Sequence, residues 1–193
     1  MTERLRVGFC LSGSFCTFEK AYTEMRRLIA DGMDITPILS FHASGTDTRF
    51  GRADDWKERL EALTGHAPLT SLVDVEPIGP KGYFDVLVAA PCTGTTLGKL
   101  ACGISDTPVT LAVKSHLRRS RPVVIAVSTN DALGGSMRSI AQLKNIKHLY
   151  FVPMGQDDVV NKPNSLVADF SRIGDTIACA MAGIQIQPLF FSV

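Results

Sequence analysis

Five consecutive apolar residues, Val86-Leu87-Val88-Ala89-Ala90, run directly into Pro91-Cys92-Thr93-Gly94-Thr95-Thr96 and constrain the fold of this chain more than any other feature. A strand without a polar face is stable only when both faces are covered, the condition of an interior strand in a parallel sheet. The segment 86–90 is therefore predicted at the centre of such a sheet. Further, less uniformly apolar runs at 5–11, 35–41, 122–127 and 149–152 alternate with stretches of helical period. Phe18, Tyr22, Met25 and Ile29 recur every three or four residues before Asp31-Gly32, and further helices are predicted over 95–102, 108–119, 137–143 and 166–182, the last stopped by Gly183. This alternation predicts an α/β fold, a single doubly wound parallel sheet with helices on both faces. No repeat or composition shift divides the 193 residues, so one domain spanning 1–193 is expected.

Gly79-Pro80-Lys81-Gly82 reads as a turn, and Asp54-Asp55-Trp56-Lys57-Glu58-Arg59-Leu60 begins like a capped helix. The polar stretches 42–55 and 155–164 are too long for simple connections, which marks them as mobile, as lids or as partner contacts. The apolar tail 188–193 is expected against a neighbouring element or another protomer.

Charge removes several functions. Twenty Lys and Arg against 19 Asp and Glu leave a net charge of +1, which excludes a strong electrostatic nucleic-acid binder. No apolar run approaches the roughly 20 residues of a membrane span, and residues 1–6 lack signal-peptide architecture. Cys10, Cys16, Cys92, Cys102 and Cys179 form no C-x-x-C pair, so neither a disulfide framework nor a thiolate zinc site is expected, and the protein reads as cytoplasmic. The four histidines show no ligand spacing, so no metal is expected. His42 reads as a loop residue and His116 as a helix-surface residue. Lys114, Arg118, Arg119 and Arg121 read as a solvated helix end or as a contact for an acidic substrate.

Ligands of such sheets bind beyond the carboxyl ends of the strands. Four ends carry small polar residues: Ser12-Gly13-Ser14, Ser40, the run from Cys92 through Thr93 and Thr95, and Ser128-Thr129-Asn130. Hydroxyls and helix N-terminal amides without dense positive charge suit a phosphate monoester, although the same residues also serve as ordinary helix caps. Gly13 belongs to no G-x-G-x-x-G, and Gly98-Lys99-Leu100 lacks the rest of a Walker loop, which disfavours the usual dinucleotide and NTP sites. Cys92, between a strand and a helix, is open to a nucleophilic role, but no His base stands nearby in sequence.

At these loops the sequence resembles the flavoprotein family of homo-oligomeric FMN-containing cysteine decarboxylases, over about residues 5–183. The block from Ala90 to Asp106 is similar to the family's P-A-S-A-N-T loop and the helix after it, Gly13-Ser14 to its N-terminal G-S loop, and Ser128-Thr129-Asn130 to its P-x-M-N segment. The runs 76–81, 126–134, 151–158 and 162–168 resemble, more closely, the branch that supplies B-type subunits of dipicolinate synthases in endospore formers.

The resemblance implies a Rossmann-like, flavodoxin-like fold, FMN bound by Gly13, Ser14, Ser40, Cys92, Thr93, Thr95, Ser128, Thr129 and Asn130, and a trimer-based homo-oligomer. It also implies an oxidoreductase role in sporulation, a small dicarboxylate substrate, and a partner, the A-type subunit of dipicolinate synthase, that supplies NADP through a dinucleotide-type domain. Two departures bear on the chemistry: Glu76-Pro77-Ile78 occupies the region of the decarboxylases' His, and Thr95 the position of their Asn. Decarboxylation and prenyl transfer are disfavoured accordingly. Oxidation of a dihydro-dicarboxylate to its aromatic product, or a non-catalytic supporting role, stays open.

Overall fold

The computed structural model describes residues 4–191, so the first three residues of the chain and the last two of the predicted apolar tail lie outside the described residues. The elements in chain order are β1 (Arg6–Leu11), α1 (Phe18–Ala30), β2 (Asp34–Leu39), α2 (Phe41–Gly45), α3 (Ala53–Thr64), α4 (Leu72–Val75), α5 (Ile78–Lys81) and β3 (Val86–Cys92). They continue with α6 (Gly94–Ala101), α7 (Pro108–Leu117), β4 (Val123–Thr129), α8 (Met137–Lys144), β5 (Leu149–Phe151), β6 (Met154–Gly155), β7 (Leu166–Ala168) and α9 (Ile173–Met181).

Every residue of β3 is buried, as its composition requires. The parallel strands lie in the order β2-β1-β3-β4, with β5 beside β4. The chain moves outward from β1 to β2, then returns to place β3 on β1's other side, so connections diverge between β1 and β3. A crevice opens at such a switch point, beyond the strands' carboxyl ends. Helix α1 buries Phe18, Ala21, Met25 and Leu28, one stripe at spacings of three and four, against the sheet. Each such large side chain contributes about 1.5–3 kcal/mol by leaving water. Helix α7 packs against α4, α5 and α6, forming a second helical group.

The sheet departs from the all-parallel expectation. The N-terminal half of β4 pairs with β5 through Val123–Ile125, while its carboxyl end runs on and pairs antiparallel with β7, Ser128 opposite Val167 and Thr129 opposite Leu166. Strand β6 completes this hairpin. The helix expected over 166–182 is thus corrected: residues 166–168 are a strand, Asp169 caps a short 3-10 turn by accepting a bond from Ser171 N at 3.1 Å, and the α-helix begins only at Ile173.

Other expectations change for local reasons. The strand predicted to reach Phe41 stops at Leu39, because Ser40 Oγ accepts from Ala43 N at 3.2 Å and starts α2. The predicted loop 42–55 shrinks to 46–52, between α2 and α3, and is tied by its own hydrogen bonds. Thr48 and Gly51 exchange backbone bonds of 3.0 and 3.1 Å, and Asp47 Oδ1 caps Ala53 N at 2.8 Å. Gly51 has φ +133°, and a Cβ there would lie 2.8 Å from Trp56 Nε1, so no other residue fits. Residues 79–81 end a helical turn instead of forming a free one.

Three of the four residues of the basic cluster, Lys114, Arg119 and Arg121, are engaged in bonds within the chain. Arg119 donates to the carbonyls of Gly79 and Pro80 at 3.3 Å, Arg121 to that of Phe84, and Lys114 to Ser105 Oγ at 3.3 Å. His116 is not on a surface: it is 1% exposed, and its Nε2 finds no hydrogen-bond partner among the described residues. Burial, aided by the Arg121 guanidinium, lowers its pKa to about 4.

Candidate functional site

The strand-end loops after β1, β3 and β4 converge on a cavity of about 880 Å³. Of the predicted residues, Gly13, Ser14, Thr93, Thr95, Ser128, Thr129 and Asn130 line it. Ser40 and Cys92 do not. The Ser40 hydroxyl is engaged as the cap of α2. Cys92 is fully buried at the end of β3, and burial pushes its thiol up to about 12, which disfavours the thiolate that a nucleophilic role requires.

The β1 loop is held by hydroxyls. Thr17 Oγ1 donates to Ser14 O at 2.8 Å, and Ser14 N returns to Ser12 O at 2.8 Å, which turns the chain into the 3-10 turn Phe15–Thr17 ahead of α1. Ser14 Oγ lies 2.9 Å from Ser128 Oγ, so the loops after β1 and β4 meet hydroxyl to hydroxyl. Ser12, 2% exposed, ties the third loop: its Oγ donates to Pro91 O at 2.7 Å and accepts from Thr93 N at 3.0 Å.

Thr93 in turn caps α6, its Oγ1 accepting from Thr96 N at 3.3 Å. The first amides of α6 have no acceptor within the helix and carry its positive dipole end. Gly94 permits this approach. A Cβ there would stand 2.5 Å from Ser136 Oγ, 2.8 Å from Asp131 Oδ1 and 2.9 Å from Thr129 Oγ1.

Those three atoms form a network that sequence reasoning did not single out. Thr129 Oγ1 donates to Asp131 Oδ1 at 2.5 Å and Ser136 Oγ donates to the same oxygen at 2.9 Å. The Thr129 hydroxyl, against some desolvation and with help from Ser136, holds the Asp131 carboxyl below the usual carboxylate range. The cavity therefore contains a fixed anion. The wall beyond it comes from the hairpin loop, where Lys162 Nζ binds Asp157 Oδ2 at 3.0 Å.

Sequence reasoning also missed Lys20, Arg49 and Phe50 on this cavity. Lys20 was concealed on the polar face of α1, and Arg49 and Phe50 in a segment expected to be mobile. Asp131 carried a readable signal, being two residues past the polar end of β4. Among the described residues no group of three or more His, Cys, Asp or Glu side chains is arranged for a metal.

The arrangement offers amides and hydroxyls on two loops, one helix N-terminus, a fixed carboxylate, and volume within the range of small-molecule sites. A phosphate-bearing ligand with a polyol chain fits that donor set, and the open space beside Gly13, where an added Cβ would meet nothing nearer than 3.6 Å, leaves its backbone approachable.

Comparison with known proteins agrees with this picture. Residues 1–184 match the family model described as Flavoprotein. The chain is 41% identical over 184 residues, 95% of its length and 92% of the relative's, to the B subunit of dipicolinate synthase from Bacillus subtilis strain 168. The crystal structure of the B subunit of dipicolinate synthase from Bacillus halodurans superposes with a TM-score of 0.89 at 40% identity, covering 97% of this chain and 96% of that one. The FMN-dependent cysteine decarboxylase SpaF superposes with a TM-score of 0.62 at 26% identity, over 94% of this chain and 96% of that one.

Proposed function

The chain belongs to the flavoprotein family, and from that premise we propose that it binds FMN in the cavity at the β1/β3 divergence and acts as the B-type subunit of a dipicolinate synthase, oxidising dihydrodipicolinate to dipicolinate. The observation that carries this reading is the convergence of neutral donors on one cavity in a chain similar along nearly its whole length to that relative. Gly13 and Ser14 receive the phosphate, Gly13 through its approachable backbone and Ser14 through its hydroxyl. Thr93, Thr95, Ser128 and Thr129 hold the polyol, and Asn130 stands at the ring or the substrate. Ser40 and Cys92 act from behind, one capping α2 and the other filling the core. FMN, when bound, supplies a two-electron acceptor. The chain's own residues place the substrate ring, and aromatisation supplies driving force.

The partner reading follows from what the strands carry. No G-x-G-x-x-G follows any strand, so the NADP-dependent part of the reaction is assigned to the A-type partner, with this chain in a trimer-based homo-oligomer in the cytosol. A second reading, a non-catalytic supporting role, has one observation in its favour: Thr95 brings a hydroxyl to the cavity where the decarboxylases bring an amide, and Glu76 does not line it. That same observation argues against decarboxylation. The test measures the visible flavin spectrum of the purified chain and dihydrodipicolinate oxidation by this chain, by the A-type partner, and by both. Flavin binding with turnover only in the mixture supports the proposal. Full turnover by the partner alone reduces this chain to a supporting role, and full turnover by this chain alone removes the need for a partner.

A further inference from the structure

The cavity holds more positive charge than a phosphate on neutral donors requires. Its charged lining consists of Lys20, Arg49, Lys162, Asp131 and Asp157. Lys162 and Asp157 neutralise one another at 3.0 Å, and Asp131 is stabilised by the Thr129 and Ser136 hydroxyls. Lys20 and Arg49 remain, with no carboxylate partner among the described residues. Neither belongs to a conventional helix end: Lys20 stands in the first turn of α1, where the dipole disfavours a cation.

Arg49 is displayed rather than merely exposed. It sits on the turn 46–52, which the Thr48–Gly51 pair, the Asp47 cap and the bond from Trp56 Nε1 to Phe50 O at 3.2 Å hold in shape. Its guanidinium stands 4.8 Å from the centroid of the Phe50 ring, which is 42% exposed and also lines the cavity. A planar cation over an exposed aromatic ring, both on one hydrogen-bonded turn, matches a flat ring bearing carboxylates. Lys20 faces the same space from α1, where the cavity adjoins a second one of about 650 Å³ that it also lines.

We propose that Lys20 and Arg49 are the recognition pair for the two carboxylates of the substrate, with Phe50 taking the ring face, an inference that rests on the dicarboxylate reading given above. The phosphate stays with the hydroxyl and amide donors of the loops after β1 and β3. Selectivity for a dicarboxylate over a monocarboxylate then comes from having two separated cations rather than one.

The test uses the full chain and binding alone. Calorimetric titrations with pyridine-2,6-dicarboxylate, pyridine-2-carboxylate and, separately, FMN are run on the wild type, Lys20→Gln, Arg49→Gln and the double variant, with thermal melts confirming that these substitutions leave the fold unchanged. Each single variant is expected to weaken dicarboxylate binding about tenfold, the loss of one charge-assisted contact. Each also erases most of the preference for two carboxylates over one. FMN affinity should move by no more than about twofold, the effect of a surface change away from the phosphate. Unchanged dicarboxylate affinity in both variants overturns the pair. So does a tenfold loss of FMN affinity with the dicarboxylate unaffected, which would give these cations to the phosphate. A wild type that binds FMN but no dicarboxylate overturns the pair and leaves the flavin reading standing. One that binds dicarboxylate through these residues but takes no FMN does the reverse.

Discussion

His116 makes the stability of this chain depend on pH well below neutrality. Its imidazole is buried in α7 with Nε2 unpartnered among the described residues, and burial together with the Arg121 guanidinium lowers its pKa from 6.5 to about 4. In the unfolded chain the ring takes a proton as pH falls through 6.5, while in the folded chain it stays neutral until about 4. Between these values the unfolded state binds the extra proton, so stability falls with pH. At 1.36 kcal/mol per pH unit the full window costs about 3 kcal/mol, a large part of a typical domain's margin. Urea unfolding at pH 7, 6, 5 and 4.5 measures it. His116→Phe removes the group, and the wild type should lose more stability than the variant over this range by most of that amount. Titrating carboxylates that do not act on the ring contribute to both proteins and cancel in the difference. Parallel stability curves, or a ring that titrates near 6.5 by NMR in the folded protein, would refute the reasoning.

Gly13→Val should abolish FMN binding while the far-UV spectrum and melting temperature stay close to wild type, because the added side chain meets no protein atom nearer than 3.6 Å at its Cβ; unaltered flavin affinity would move the phosphate elsewhere. Gly94→Ala should behave oppositely, forcing apart the hydroxyls that stabilise Asp131 and costing about 1–3 kcal/mol in chemical unfolding. A variant as stable as wild type would show that this contact relaxes freely. Alkylation by iodoacetamide at pH 8, read by peptide mass spectrometry, should label exposed Cys16 and Cys102 and spare Cys10 and Cys92, whose thiols burial raises. Cys92→Ser should accordingly keep turnover of the two-component reaction within a few-fold, and its loss with flavin still bound would reopen covalent catalysis.

The parts of the fold that could be read from the chain are those whose burial is written locally. Strands β1, β3 and β4 are apolar along most of their length, and the stripe Phe18, Tyr22, Met25, Ile29 fixes α1 without reference to anything distant, although the structure turns the helix so that Ala21 and Leu28 are buried and Tyr22 and Ile29 stand at the edge of the stripe. Strand β7 is different. Leu166-Val167-Ala168 has no strand pattern of its own long enough to recognise, and it is extended because Ser128 and Thr129, nearly forty residues earlier, offer it a free edge. The loop residues of the site followed from the strand-end rule, which needs only a list of strands. Lys20 and Arg49 did not, since one lies on a helix face and the other on a turn, and only the topology places both over the same crevice. The polar signals that pin that turn, Asp47 and Thr48, were present in the sequence but looked like the composition of a mobile loop.

Ser12 explains how a switch point becomes a preformed site. The β1–β3 ladder ends at the pair Cys10–Ala89, just where the two chains begin to diverge. Beyond it the main chains still meet once, Ser12 N on Pro91 O at 3.2 Å, and the Ser12 side chain then extends the pairing by donating to Pro91 O and accepting from Thr93 N. These groups are buried or nearly so, where an unmet hydrogen bond costs about 1–3 kcal/mol, so the two loops cannot separate cheaply. The Ser14–Ser128 contact performs the same task toward β4. Three loops are thereby fixed to one another through hydroxyls before any ligand arrives, and little loop ordering has to be offset by binding. The hydroxyls that look like redundant caps in the sequence divide into two kinds: those of Ser12, Ser40 and Thr129 are consumed in bonds to neighbouring groups, while Thr95 lines the cavity that the frame keeps open with its hydroxyl uncommitted among the described residues.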